Sequence, residues 1–585
     1  MIGKLPHKFT EKMKKLLGAE FDNFMSSYDD QRLYGLRVNR LKLEADRWRE
    51  LSPFGKDTRP IPWCAEGFYY REGERPGKHP HYHAGLYYIQ EPSAMAPVEL
   101  LDVQPGQRVL DLCAAPGGKS TQIAAKLQGQ GVLVTNDNAR ERTKALAKNI
   151  ELAGVRNAIV LNEEPERLAP VFAQWFDRIL IDAPCSGEGM FRKDESMIAD
   201  WEKHSVQRCS GMQRDILRHA AAMLAPGGLL VYSTCTFSPE ENEQQIADFL
   251  AEREDFEIVP VKHRFGWQPG RPELVERDWT DGEREDAAAP QASLLDHSLT
   301  AGRLQSLEGT VRLWPHRLEG EGHYAAVLRR SGEGPASEPE LGQLEAPASS
   351  FSSEGTTGEF VRVSGKRERQ AALAGAVVSE RRTKEAARDA GRRTSDQRLS
   401  RAEKRTVSER GWKPSGRIAD FNGGGQSSRS ERTGRELEAP EETWLSQAAQ
   451  ILAGTFVAQG RLVAYGSKIY LQPHGVPSLD GLRVVRAGWY VGEADKGRLA
   501  PSHPLALGLS RKEAARSINW SADQPETLRY LKGETVFAEE SELELQTGVT
   551  AKGYVLVCTD GFPIGWAKFA GGMLKNELPT GWRWM

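Results

Sequence analysis

The chain has 585 residues, 39% of them hydrophobic and 27% charged, which is too long for one hydrophobic core, since such cores stop growing at roughly 250–300 residues. A single compact domain is therefore excluded, and so is a bilayer-spanning helix, because no apolar run reaches about 18 residues. The 78 basic and 81 acidic groups give a net charge of −3, so a polyanionic partner is neither demanded nor forbidden by the total.

The start, Met1-Ile2-Gly3-Lys4-Leu5-Pro6-His7-Lys8, leads into a charged amphipathic stretch. An export signal needs an apolar run of ~7–15 residues, so the expectation is a soluble, cytoplasmic protein with no membrane partner. Six cysteines (Cys64, Cys113, Cys185, Cys209, Cys235 and Cys558) are too sparse and irregular for a disulfide framework or a paired metal site. They read as free thiols.

From 108 to 260 the sequence alternates between short apolar runs and helical patterns. The runs at 108–112, 131–135, 158–161, 176–181 and 228–232 have the length and flanks of buried parallel strands. Helices are expected over Ala139–Ala153 and Val206–Leu224, the latter stopped by Pro226-Gly227-Gly228. This is the pattern of an α/β, doubly wound Rossmann-like domain, whose ligands bind outside the carboxyl ends of the strands.

The first strand runs into Asp111-Leu112-Cys113-Ala114-Ala115-Pro116-Gly117-Gly118-Lys119-Ser120, with a helix expected from about Ser120. Small residues let a ligand approach the backbone, but neither GxGxxG nor GxxxxGK[ST] is present, so the loop suits a ligand without phosphates. Asp137 follows the second strand, where an acidic residue accepts from ribose hydroxyls. S-adenosylmethionine meets both conditions. A nicotinamide cofactor or a purely structural loop are the alternatives.

After the fourth strand comes Asp182-Ala183-Pro184-Cys185-Ser186-Gly187, and after the fifth comes Ser233-Thr234-Cys235-Thr236. Either cysteine alone reads equally well as a small buried hydrophobe. Together, at the carboxyl ends of consecutive strands, they face the cofactor crevice. Two thiols beside a methyl donor suit methylation of cytosine C5: a thiolate adds at C6, the activated C5 takes the methyl, and a second group assists loss of the C5 proton. Asp182 is placed to hydrogen-bond or protonate the ring at N3. His316 and His323 lack the company of a metal set, and no metal is expected.

Residues 332–440 are poor in apolar periodicity, and 361–440 carry a net +9, so this segment reads as a disordered basic linker. It is either a plain tether or a weak, salt-sensitive RNA-tracking arm. Beyond it, 441–585 regain short strands and glycine turns, with one helical stretch near Arg511–Ala515, as in a small β-rich barrel. Lys496, Arg498, Lys568 and Lys575 lie near aromatic residues and are candidates for contact with nucleic acid.

These motifs resemble the RNA cytosine-C5 methyltransferases, a resemblance that covers roughly 1–330 and includes Leu36-Arg37-Val38-Asn39 and Gln90-Glu91-Pro92-Ser93-Ala94-Met95. Gly187-Glu188-Gly189-Met190-Phe191-Arg192-Lys193-Asp194, Trp314-Pro315-His316-Arg317 and Gly320-Glu321-Gly322-His323-Tyr324 are similar to the bacterial small-subunit rRNA type F. The resemblance implies that Cys235 is the nucleophile and that Cys185 assists product release. It implies that the cofactor is S-adenosylmethionine, held by Cys113, Ala114, Ala115, Pro116, Gly117, Gly118 and Lys119, with Asp137 at the ribose, Asp182 near the methionine moiety and Glu164 after the third strand. The match at Glu164 is the weakest, because the family often has Asp-Gly-Arg there.

The implied organisation is a 1–95 RNA-binding extension, a 96–260 catalytic domain, a 261–331 family-specific extension, the 332–440 linker and a 441–585 PUA-like RNA-binding domain tethered to the rest. The implied partner is RNA, above all 16S rRNA or the small ribosomal subunit, acted on by a monomer. A tRNA-directed enzyme and an rRNA-binding assembly factor without turnover are the alternatives.

Overall fold

The computed structural model describes residues 5–54, 58–193, 196–201, 206–275, 299–333 and 439–584. The expected linker lies outside these residues except at its two ends. The core is a parallel sheet of β1 (Arg108–Asp111), β2 (Val132–Asn136), β3 (Ala158–Leu161), β4 (Phe176–Asp182) and β5 (Leu224–Thr234). They run in the order β3-β2-β1-β4-β5, so β1 and β4 flank the point where strand order reverses and a crevice opens. Val109, Leu110, Val134, Ile159, Leu180 and Val231 are fully buried, as expected for strands covered on both faces.

The helices follow the apolar spacing closely, over Arg140–Leu152 and Val206–Met223. The helix after β1 begins at Gly118 and not at Ser120, because Gly117 takes the left-handed conformation (φ 111°) as its N-cap and turns the chain two residues early. A Cβ on Gly118 would lie 3.0 Å from the Tyr88 ring, so this position packs directly beneath the amino-terminal sheet.

That sheet has four antiparallel strands, in the order Arg59–Ile61, Cys64–Tyr70, Tyr34–Val38 and Tyr87–Ile89. Its Arg-x-Asn element is a lock. Buried Arg37 donates to Thr121 at 2.8 Å and to Gln90, while the Asn39 side-chain amide donates to the carbonyls of Gly85 and Ala153, both at 2.9 Å. An amino-terminal helix, His7–Leu17, reaches across to the far side, where Lys12 donates to Ser238 at 2.5 Å and pairs with Glu240 at 3.1 Å.

The two edges of the parallel sheet are both covered. Beside β5 runs the antiparallel strand His323–Arg330, then Val311–Leu313 and Gln268–Pro269. Beside β3 lies Val484–Arg486, from the carboxyl-terminal region, with Val484 opposite Leu161 and Arg486 opposite Val160. The expectation of a separately tethered module is thereby corrected: 439–584 dock on the central sheet.

The region itself holds two sheets and not one barrel, the first with Arg461–Tyr465, Lys468–Gln472, Trp489–Asp495 and Arg498–Pro501, the second with six strands centred on Gly553–Thr559 and Phe562–Ala570. The apolar run 482–492 is split between β3 and the first of these sheets at Gly488 (φ 151°), where a Cβ would meet the Leu471 carbonyl at 2.3 Å. The helix expected near Arg511–Ala515 is a single 3-10 turn, Arg511–Glu513; the region's α-helices are Pro440–Gln447, His503–Gly508 and Pro525–Leu531. No helix among the described residues is long and apolar enough to cross a membrane.

Candidate active site

Because β4 and β5 are parallel neighbours, with Asp182 beside Ser233, the turns that follow them meet. The Sγ atoms of Cys185 and Cys235 lie 3.3 Å apart, and both residues stay partly exposed. The hydrogen bond to Cys235 and burial push the Cys185 thiol well above its usual range. Cys185 therefore stays a thiol that can donate across the pair to the Cys235 sulfur.

Tight backbone packing holds the pair. The N–H of Gly189 donates to the Cys235 carbonyl at 2.8 Å, and a Cβ at Gly189 would sit 2.9 Å from that oxygen. Beneath the Pro-Cys turn, fully buried Glu241 accepts from the Ser186 N–H at 2.9 Å, from its hydroxyl at 2.5 Å and from Gln213 at 3.1 Å. Burial pushes this carboxyl up to about 7. Buried Glu188 does the same for the Thr-Cys turn, accepting from the Phe237 N–H at 3.0 Å and Ser238 at 2.8 Å. Neither acid was singled out by sequence, although Pro239-Glu240-Glu241-Asn242 follows directly on the second cysteine turn.

Asp182 accepts from Lys119 at 2.7 Å and from Ser233 at 3.1 Å. Burial works against its charge, but the buried Lys119 ammonium holds it below the usual carboxylate range, so it rests as an acceptor and not as a proton donor. Lys119 is likewise buried, and the charges of Asp182, Asp111 and Cys235 keep it protonated. His323 donates from Nδ1 to the Gly322 carbonyl at 2.6 Å, and burial holds it neutral. His316 is tied to Glu20 at 2.9 Å, beside Arg317, and so fastens the amino-terminal segment.

In the loop after β1, the Ala115–Pro116 peptide is cis. The Ala115 N–H donates to Asp137 at 3.2 Å, and the Ala115 carbonyl accepts from Arg142 at 2.6 Å. The Cys113 thiol is pushed up by burial and contributes no thiolate. Asp111, fully buried, accepts from Ser120 at 2.6 Å through one oxygen, while the other has no partner. Burial raises this carboxyl to about 7.

Since Lys119 is neutralised by Asp182, the loop Cys113–Lys119 offers no free cation to a phosphate chain. Asp111, with one oxygen unpartnered, and buried Asp137, which lies 3.5 Å from Arg142, instead form an acidic lining. That donor set fits a cationic ligand carrying a ribose and no phosphate.

After β3, the two adjacent acids part company. Glu164, the residue expected at the cofactor, is exposed and accepts from Asn138 at 3.2 Å. Glu163 is fully buried and accepts from the Arg483 N–H at 2.8 Å and its guanidinium at 3.1 Å. Cys64, Cys209 and Cys558 are buried free thiols. Lys496, Arg498, Lys568 and Lys575 are exposed, and Lys568 lies opposite Lys575 on neighbouring strands.

Four family models match successive parts of the chain: the N-terminal domain of 16S rRNA methyltransferase RsmF over 5–92, 16S rRNA methyltransferase RsmB/F over 98–329, the first C-terminal domain of RsmF rRNA methyltransferase over 444–509, and the methyltransferase RsmF PUA domain over 518–584. Among curated relatives, the ribosomal RNA small subunit methyltransferase F of Vibrio vulnificus is 36% identical over 336 residues, 56% of this chain. That of Pectobacterium atrosepticum is 33% identical over 341 residues, 57% of this chain. The matched stretch spans 64% of each relative's own length. Among solved structures, a methyltransferase homolog protein from Pyrococcus horikoshii is 29% identical and covers 55% of this chain and 94% of that one, with a TM-score of 0.44.

Proposed function

We propose, from the premise that the chain belongs to the RsmB/F family of methyltransferases, that it forms 5-methylcytidine in RNA, with 16S rRNA of the small ribosomal subunit as its substrate and S-adenosylmethionine as its methyl donor. The observation that carries this reading is the 3.3 Å approach of Cys185 and Cys235 beside an acidic, phosphate-free cofactor loop.

When bound, S-adenosylmethionine supplies an electrophilic methyl group. Ala114 to Lys119, Asp111 and Asp137 would hold it. The Cys235 thiolate adds to C6 of the cytosine, forming a C–S bond as the C5=C6 double bond opens, so that C5 becomes nucleophilic. Asp182, ionised and tied to Lys119, accepts from the exocyclic amino group and fixes the ring. Once C5 is methylated, Cys185, having released its own thiol proton to solvent, takes the C5 proton; the C–H electron pair restores the C5=C6 double bond and the C6–S bond breaks, returning Cys235 as thiolate.

Cys113 contributes backbone only. Glu164 lies at the outer rim of the cofactor site, which makes it the weakest of the cofactor residues. On the RNA side, exposed Lys568 and Lys575 face each other across an antiparallel pair, and Lys568, 3.7 Å from Glu577, lies over the Tyr554 ring, so the surface is basic and flanked by an aromatic side chain. This supports an RNA-binding role for the region matched by the PUA model. We assign the protein to the cytoplasm as a monomer, with 1–95, 96–260, 261–331, 332–440 and 441–585 as its functional segments.

The test is methyl transfer from labelled cofactor to small-subunit RNA and to tRNA, followed by nucleoside analysis of the product. Label in 5-methylcytidine of 16S rRNA is expected. Label in tRNA alone would replace the substrate assignment, and RNA binding without transfer would favour an assembly factor.

A further inference from the structure

The carboxyl-terminal region does more at β3 than close an edge. Three loops emerge at the carboxyl ends of β1, β2 and β3, where a doubly wound sheet binds its ligand, and all three belong to one hydrogen-bond network. The Asn136 side-chain amide donates to the carbonyls of Leu112, at 3.2 Å, and Glu163, at 2.9 Å, and its oxygen accepts from the Glu163 N–H at 2.9 Å. Asn162 donates through its side chain to the Asp137 carbonyl at 2.7 Å. The outer end of this network is anchored from a distance of some 320 residues in sequence. The Asn162 N–H donates to the Arg483 carbonyl at 3.0 Å, and the N–H and guanidinium of Arg483 donate to Glu163 at 2.8 and 3.1 Å.

The same segment is fastened on either side. Arg167 donates to the Gly481 carbonyl at 2.6 Å, and Arg486 to Glu151 at 2.5 Å. Leu479, 6% exposed, joins the core cluster that includes Leu112 and Leu161. A buried carboxylate such as Glu163 is stable only while its partners stay in place, and two of its hydrogen bonds come from Arg483. Without the Arg483 side chain, Glu163 keeps the Arg483 N–H and Arg167 at 3.3 Å but loses a charged partner, which loosens the loop that orders Asn136 and Asp137.

We propose that the segment Leu479–Arg486 is the outer wall of the cofactor site, with Arg483 as a positioning residue, so that cofactor affinity depends on the carboxyl-terminal region being docked. This rests on the reading of the β1–β3 loops as the S-adenosylmethionine site. Docking and cofactor binding are then linked: whatever strengthens one strengthens the other by the same factor.

The experiment uses the full chain and S-adenosylhomocysteine, the demethylated product, which binds without turnover. Amide exchange should slow in 481–486 together with 113–119 and 162–164 when this ligand is added. By calorimetry, Arg483→Ala should bind it about tenfold more weakly, the loss expected for charge-assisted hydrogen bonds that position a site. Both variants keep the backbone bonds, and Arg483→Lys, which also keeps the charge, should stay within about threefold of the unaltered protein. The Arg483 side chain is 56% exposed, so neither variant should shift the unfolding equilibrium of the ligand-free protein by more than about fivefold, or about 1 kcal/mol.

Unchanged affinity of Arg483→Ala, or slowed exchange in 113–119 with none in 481–486, would overturn the proposal. No binding by the unaltered protein would instead overturn the cofactor reading beneath it.

Discussion

The two edges of the central sheet are closed in different ways. Next to β5, the closing strands come from the same stretch of chain, and buried charge pins them: Arg312, 2% exposed, pairs with Glu243 at 2.5 Å and donates to the Phe237 carbonyl at 2.9 Å. Phe237 lies two residues beyond Cys235, so this edge fixes the position of the proposed nucleophile. Next to β3, the closing strand arrives from the far end of the chain, and its Arg483–Glu163 pair is half open to solvent. The contrast suggests a division: the inner edge sets the chemistry, and the outer edge sets the hold on the cofactor.

Substitutions on the two sides should therefore fail differently. Cys235→Ala is expected to lower methyl transfer by at least about 10³-fold, the scale of losing a nucleophile, while cofactor affinity measured by calorimetry stays within about twofold. A comparable loss of affinity would dissolve the distinction. The next largest effect falls on stability. Arg312→Ala strands a buried carboxylate and should cost about 3–5 kcal/mol in denaturant unfolding. Arg483→Ala breaks an exposed pair and should cost about 1 kcal/mol or less in the same assay. Equal costs would show that both edges are structural in the same sense.

The contrast also explains what was legible in the sequence. On the inner side the parallel strands and the cysteine turns were legible, because strands buried on both faces leave continuous apolar runs, as at 176–181 and 228–232, and the two cysteines directly follow their strands, but the antiparallel strands that close this edge were not. The outer edge was missed. The run 482–492 looks like one strand of a β-rich domain, and nothing local says that its first half pairs with β3 while Gly488 turns its second half into another sheet.

Nor does the local pattern separate Glu163 from Glu164, since which of two adjacent acids is buried depends on an arginine some 320 residues away. Glu241 was hidden for a similar reason: acids at the start of a helix usually face water, whereas this one is covered by Ser186 and Gln213.

The remaining expected effects are those of pH. Asp111 and Glu241 are both raised to about 7 by burial, so the folded state holds protons that the unfolded chain releases near pH 4. Stability of the ligand-free protein should fall as pH rises from about 4 to 7, because there the native state binds more protons than the unfolded one. Cofactor affinity should move the opposite way, tightening as pH rises through about 7, since the ionised Asp111 carboxylate attracts the cationic ligand. Asp111→Asn should flatten that rise. A pH-independent affinity in the unaltered protein would remove Asp111 from the cofactor site.

The central claim, that Cys235 attacks the cytosine and Cys185 governs its release, is tested most directly by trapping the adduct. Cys185→Ala protein is mixed with S-adenosylmethionine and small-subunit RNA and run on a denaturing gel. The account predicts protein migrating covalently attached to RNA, and loss of that species when Cys235 is also replaced. An adduct that survives without Cys235, or a Cys185→Ala protein that turns over freely and leaves none, would contradict it.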